Sequence, residues 1–214
     1  MRNDMNFKEY WMDVLRTAAI IGVVMALSHI FEQYILLYSD MSLYSASMVL
    51  MIEGVASAGL FIFLMFYFTR RIARAWSDRI EVGDGFVVDM PFTYGRAVSY
   101  GLLVASFVGL LVGVVDILFV DFMGGYDAYR AEQIAYFEEI KELMTAYNAM
   151  VGSEIMPMEA MDATIEQFEA MERPSMFMTI LSHMSSYMLY GGVVSLIVAA
   201  FARRKPNAQN VSNE

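Results

Sequence analysis

The chain has 214 residues, of which 58% are hydrophobic and 18% charged, with a formal net charge of -10 and a mean hydropathy of +0.47. That is too apolar and too sparsely charged for an ordinary soluble domain of this size. With no cysteine, disulfide frameworks and thiolate metal or redox sites are excluded.

A membrane-crossing helix needs roughly 20 mostly apolar residues to cover a hydrocarbon core of ~30 Å. Four segments meet that requirement, at 17–37, 46–68, 98–120 and 176–200. The first is too long for a signal-peptide core, and the YSDMSL after it offers no small-x-small cleavage site, so it is expected to be retained. The expectation is one membrane domain over 1–214, an all-α integral four-helix bundle.

Basic residues set the expected orientation, because Lys and Arg near span ends stay on the cytoplasmic side. Arg2, Lys8 and Arg16 precede the first span, Arg70, Arg71, Arg74, Arg79 and Arg96 lie between the second and third, and Arg203, Arg204 and Lys205 follow the fourth. Both termini are therefore expected in the cytoplasm. The loop after the second span, RRIARAWSDRIEVGDGFVVDMPFTYGR, begins as a basic continuation of the helix, with Trp76 as an interfacial anchor. Gly83-Asp84-Gly85 lacks the Lys-Ser/Thr partner of a phosphate loop and reads as a turn.

Between the third and fourth spans, residues 124–174 form the expected extracytoplasmic insert. Tyr129, Gln133, Tyr136, Ile140, Leu143 and Tyr147 stripe one face of a helix; after Gly152 and Pro157, so do Met158, Met161, Ile165, Phe168 and Met171. The spacing predicts an amphipathic helical hairpin whose remaining surface is strongly acidic. Met156, Met158, Met176 and Met178 have the spacing of thioether ligands for Cu(I), but the chain's 20 methionines are spread throughout and read as packing filler, with no metal assigned.

Each span places an ionisable side chain in its outer half. Asp116 falls about 6 Å below the outer end of the third span at ~1.5 Å per residue, at about the same level as Glu32, His29, Glu53 and His183. Small residues share their faces: Ala18, Gly22 and Ala26 with His29; Gly109 and Gly113 with Asp116; Ala56 and Ser57 with Glu53; Gly191, Ser195 and Ala199, after Tyr187, with His183. Such stripes mark where membrane helices approach, so the polar groups are expected to face the bundle interior, and the inner halves to hold no ionisable group. A charge there costs roughly 2.5–3.5 kcal/mol on insertion scales unless it pairs, neutralises or meets water. The candidate band of His29, Glu32, Glu53, Asp116, His183 and Tyr187 therefore reads as internal hydrogen bonding, with a Glu53–His183 pair among the options, as an ion or proton path, or as a nitrogen and oxygen ligand set for a borderline divalent ion such as Zn, Mn or Fe. His29-Ile-Phe-Glu32 reverses the Glu-x-x-His order of di-iron bundles and occurs once.

No nucleophile elbow, zinc-protease helix, P-loop or dinucleotide fingerprint is present, so no enzymatic activity and no cofactor are expected. The expected partners are the lipid bilayer and either a second copy or another membrane protein, with no nucleic acid. A scaffold or accessory subunit without enzymatic activity is the leading expectation, and ion or proton transport through the polar band is the alternative.

The segments GRAVSYGLLVASFVGLLVGVVDILF, GGYDAYRAEQIAYFEE and PSMFMTILSHMSSYMLYGGVVSLIVAAFARRK, taken in this order, resemble the domain of unknown function 4199 family over about Phe7 to Lys205. Its members are small four-span membrane proteins found mainly in Bacteroidota. The resemblance implies a bacterial inner (cytoplasmic) membrane location and supplies no activity or functional residues.

Overall fold

The structure is a computed structural model that describes residues 7–75, 78–82, 86–90, 92–152 and 158–202. The chain order is α1 (Phe7–Leu37), α2 (Leu43–Ala75), β1 (Asp78–Val82), β2 (Phe86–Met90), α3 (Tyr94–Phe122), α4 (Tyr126–Val151), α5 (Met158–Glu169) and α6 (Met176–Ala202). The fold is all-α apart from one short antiparallel ribbon, in which Asp78 pairs with Met90 and Val82 with Phe86. The loop expected only to turn at 83–85 thus carries a paired strand on either side; the turn itself lies outside the described residues.

Four helices, α1, α2, α3 and α6, are long and apolar enough to cross a membrane. They contain 31, 33, 29 and 27 residues, more than the roughly 20 a hydrocarbon core requires. Much of the excess lies where α1 begins, α2 ends and α3 begins. Arg16, Arg70, Arg71, Arg74 and Arg96 cluster there, and this end is called the basic end below; the opposite end carries α4 and α5 and is called the acidic end.

Local chemistry sets the breaks. Thr93 caps α3, its hydroxyl accepting the Arg96 N–H at 3.3 Å. Between α3 and α4 the chain turns through Gly124 and Gly125 with φ of 105° and 88°, values strained for a side chain bearing Cβ.

The core is centred on α3. On one side it meets α6 so closely that a Cβ added to Gly109 would lie 2.7 Å from the backbone of His183 and Met184, and one on Gly113 2.9 Å from Cα of Ile180. On the other side Gly22 of α1 comes near Leu111. Lipid supplies no hydrophobic drive for helix association, so van der Waals packing through small residues carries these contacts.

The half of the bundle toward the basic end is filled. Val14, Thr17, Ile21, Phe61, Met65, Thr69, Ile72, Tyr100, Val104 and Val108 are each less than 2% exposed. By contrast the buried residues of α2 are concentrated along Phe61–Ala73, with Ala46 the other one described as buried. Toward the acidic end its Met48, Met51, Ile52 and Val55 are exposed, and 11% of its apolar window is buried against 44% for α3.

Helices α4 and α5 run antiparallel: Phe137 meets the Phe168 ring at 5.0 Å, Lys141 pairs with Asp162, and Thr145 lies against Met158. On α5 the expected stripe faces α4, with Met161 buried. On α4 the first part of the expected face, Tyr129, Gln133, Tyr136 and Ile140, is half-buried, with Phe137 beside it meeting Phe168, while Leu143 and Tyr147 are 54% and 45% exposed.

Candidate functional site

The site is built from three spans. Gly22 brings α1 against α3, and Gly109 and Gly113 bring α6 against α3, so His29, Asp116 and His183 converge toward the acidic end. His29 Nε2 lies 2.9 Å from Asp116 Oδ1, and His183 Nε2 lies 3.3 Å from Oδ2. The imidazoles meet edge to face with ring centres 5.3 Å apart. With side-chain exposures of 19%, 16% and 22%, all three are largely but not fully buried.

The rest of the expected band separates from this centre. Glu32 is half exposed, its Oε2 4.0 Å from His29 Nδ1, at the edge of ion-pair distance. Glu53 accepts a hydrogen bond from the Ser28 hydroxyl, so the Glu53–His183 option does not occur. Tyr187 stands away from the carboxylate. It packs edge-on to Phe61 and lines a cavity of about 260 Å³ between α1, α2 and α6, together with Met25, Ser57 and Tyr190.

Two groups complete the surroundings of Asp116. Tyr129, from the first turn of α4, donates to Gln33 Oε1 at 3.1 Å and accepts from Gln133 Nε2 at 3.0 Å. Its pKa is pushed up to about 12 by burial and by the nearby Asp116 charge, so the phenol stays protonated. Tyr129 also lines a cavity of about 100 Å³ that reaches Asp116 past Tyr126, Arg173, Met176 and Thr179. Arg173 is engaged with Asp121 at 2.7 Å.

A second polar cluster, around Asp13, lies just before the expected start of the first span. Helix α1 begins ten residues before the expected span, and Asp13 pairs with Arg71 of α2 while accepting from the Tyr100 hydroxyl at 2.7 Å. Tyr100 is also 2.8 Å from Thr17 Oγ1. The helical step from Asp13 to Thr17 was visible; partners 58 and 87 residues away were not.

Chemically, the centre offers two imidazole nitrogens and a carboxylate from three helices. Among the described residues no hydroxyl is hydrogen-bonded to either imidazole, and the carboxylate lies within hydrogen-bond distance of both rings.

These features define an all-α bundle of four membrane-length helices with a polar centre toward one end. The chain belongs to the family described as Protein of unknown function (DUF4199), whose model matches residues 16–204. No curated protein and no solved structure matches it.

Proposed function

We propose that this is a multi-pass protein of the bacterial inner membrane, with both termini cytoplasmic and α4–α5 outside, acting as a non-enzymatic scaffold or accessory subunit that receives another membrane span along α2. The observation carrying this reading is the uncovered half of α2, where Gly54 and Gly59 have no neighbour within 4 Å of an added Cβ. The other close helix approaches in the bundle use such glycines against a neighbouring span, and small residues are where membrane helices meet. The arginines of the basic end support the orientation.

The alternative is ion or proton movement through the polar centre. The cavity reaching Asp116 favours it. Opposing it is the filled half of the bundle, where Phe61, Tyr100, Ile21 and Met65 occupy the space a continuous path would need.

The absence of cysteine makes any introduced thiol unique. In intact cells a membrane-impermeant maleimide is expected to label Thr145→Cys and not Arg74→Cys; the reverse pattern overturns the orientation. In native membranes Val55→Cys is expected to cross-link to a second chain, while failure there, with measurable proton flux in liposomes, replaces the scaffold by the transport reading.

A further inference from the structure

We propose that His29, Asp116 and His183 form a binding site for one borderline divalent transition-metal ion of the zinc type, loaded from the side of the bundle that carries α4 and α5. The inference does not rest on the scaffold reading.

The geometry is that of a ligand set. Ligands held at ~2.0–2.1 Å from a tetrahedral zinc ion stand about 3.3 Å from one another. The two nitrogen-to-oxygen separations here are 2.9 and 3.3 Å, and one ligand atom from each of the three residues lies within 4.8 Å of the others. Both imidazoles turn the same nitrogen, Nε2, toward the carboxylate from different helices. Closing three ligands on an ion therefore needs side-chain adjustment and no movement of the spans.

Charge points the same way. A carboxylate in a largely apolar setting needs a compensating positive charge. Among the described residues the ion-pair partners of Asp116 are these two histidines, while the nearby Arg173 is paired with Asp121. A divalent cation would neutralise Asp116 and leave both imidazoles neutral, which is the form that ligates.

Surroundings and access fit as well. Ligating histidines commonly pass their other nitrogen to a carboxylate; Glu32 Oε2 stands 4.0 Å from His29 Nδ1, beyond hydrogen-bond distance, and takes that role only after its side chain turns. A cavity of about 100 Å³ reaches Asp116, lined also by Tyr126 and Thr179 and by neither histidine, and gives a route of approach to the carboxylate. Two nitrogens and an oxygen, without thiolate or thioether, select zinc, cobalt or ferrous iron over Cu(I), and over the all-oxygen preferences of calcium and magnesium.

The packing also says why the site stands where it does. Gly109 and Gly113 press α3 onto the α6 turn that bears His183, so the small residues fix the distance between two ligands. The filled half beyond the site makes it a terminus for the ion and not a station on a path.

Protein stripped with chelator in mild detergent should be titrated with Co²⁺, followed by its visible absorption, and then competed with Zn²⁺, Mg²⁺ and Ca²⁺. The expected result is one Co²⁺ per chain, displaced by Zn²⁺ and not by a hundredfold excess of Mg²⁺ or Ca²⁺. His29→Gln and His183→Gln retain a hydrogen-bonding side chain. Each should weaken binding by at least about tenfold, and the two together should abolish the bands. Zn²⁺ should raise the melting temperature of the unaltered protein and leave that of the double variant unchanged, the metal-free melting temperatures serving as the check on folding. Absence of cobalt bands at one equivalent overturns the proposal. So do bands that survive in the double variant, which would place the ion on the acidic α4–α5 surface instead.

Discussion

At the residue scale, Tyr129 ties the α4 helix to the bundle and does so as a neutral phenol. Burial and the Asp116 charge both disfavour the phenolate, raising the pKa from 10.0 to about 12 in the folded protein. The folded state therefore holds this proton more tightly than the unfolded chain does, and stability falls as pH rises from about 10 to 12. A melting series across that interval is expected to show the decline, and Tyr129→Phe should flatten it. The same substitution removes a hydrogen bond to Gln33, costing about 1 kcal/mol at neutral pH. An identical alkaline profile in the variant would assign the decline to other groups. Residue-scale features were only partly legible in the sequence. The level shared by His29, Asp116, Glu53 and His183 follows from counting along each helix. That Asp116 takes both imidazoles while Glu53 turns to Ser28 depends on the rotation of each helix about its own axis, which intrahelical spacing does not determine.

At the scale of elements, glycine plays opposite parts in α2 and α3. Gly109 lies where a Cβ would stand 2.7 Å from the α6 backbone, so Gly109→Leu has to force two spans apart. Overpacking of this kind costs ~1–3 kcal/mol and sometimes more. Gly59 meets nothing within 4 Å, and Gly59→Leu is expected to leave the isolated chain as stable as before, or up to ~1 kcal/mol more stable through helix propensity. If α2 receives another span, that silent substitution reduces cross-linking at Val55→Cys. Melting temperature and cross-linking yield together separate the two roles; equal destabilisation by both substitutions would show that Gly59 is packed within the chain. The long apolar runs made the four spans readable. The early start of α1 was not, because Glu9, Asp13 and Arg16 lower the apolar signal exactly where Tyr10, Trp11 and Val14 continue the packed face. The β1–β2 ribbon was missed for a related reason: five-residue strands carry little periodic signal.

At the scale of the whole molecule, the bundle is unevenly bound together. Helices α1, α3 and α6 share close contacts, and α2 joins them firmly only from Phe61 toward the basic end. The Ser28–Glu53 hydrogen bond is a polar tether nearer its other end. In mechanical terms α2 is a beam clamped at one end, with a weak latch near the other and few neighbours from its own chain along much of the length between. Bilayer thickness and lateral pressure act on such a beam more than on the tightly joined α3–α6 pair. Spin labels at Ser47 and Phe122 should therefore report a distance that shifts between short-chain and long-chain lipids, whereas a pair at Leu110 and Met188 should not. Equal shifts in both pairs would mean that the bundle deforms as one body. Cutting the latch with Ser28→Ala should widen the first distribution further, so that a single hydroxyl sets how stiffly one quarter of the membrane domain answers the bilayer.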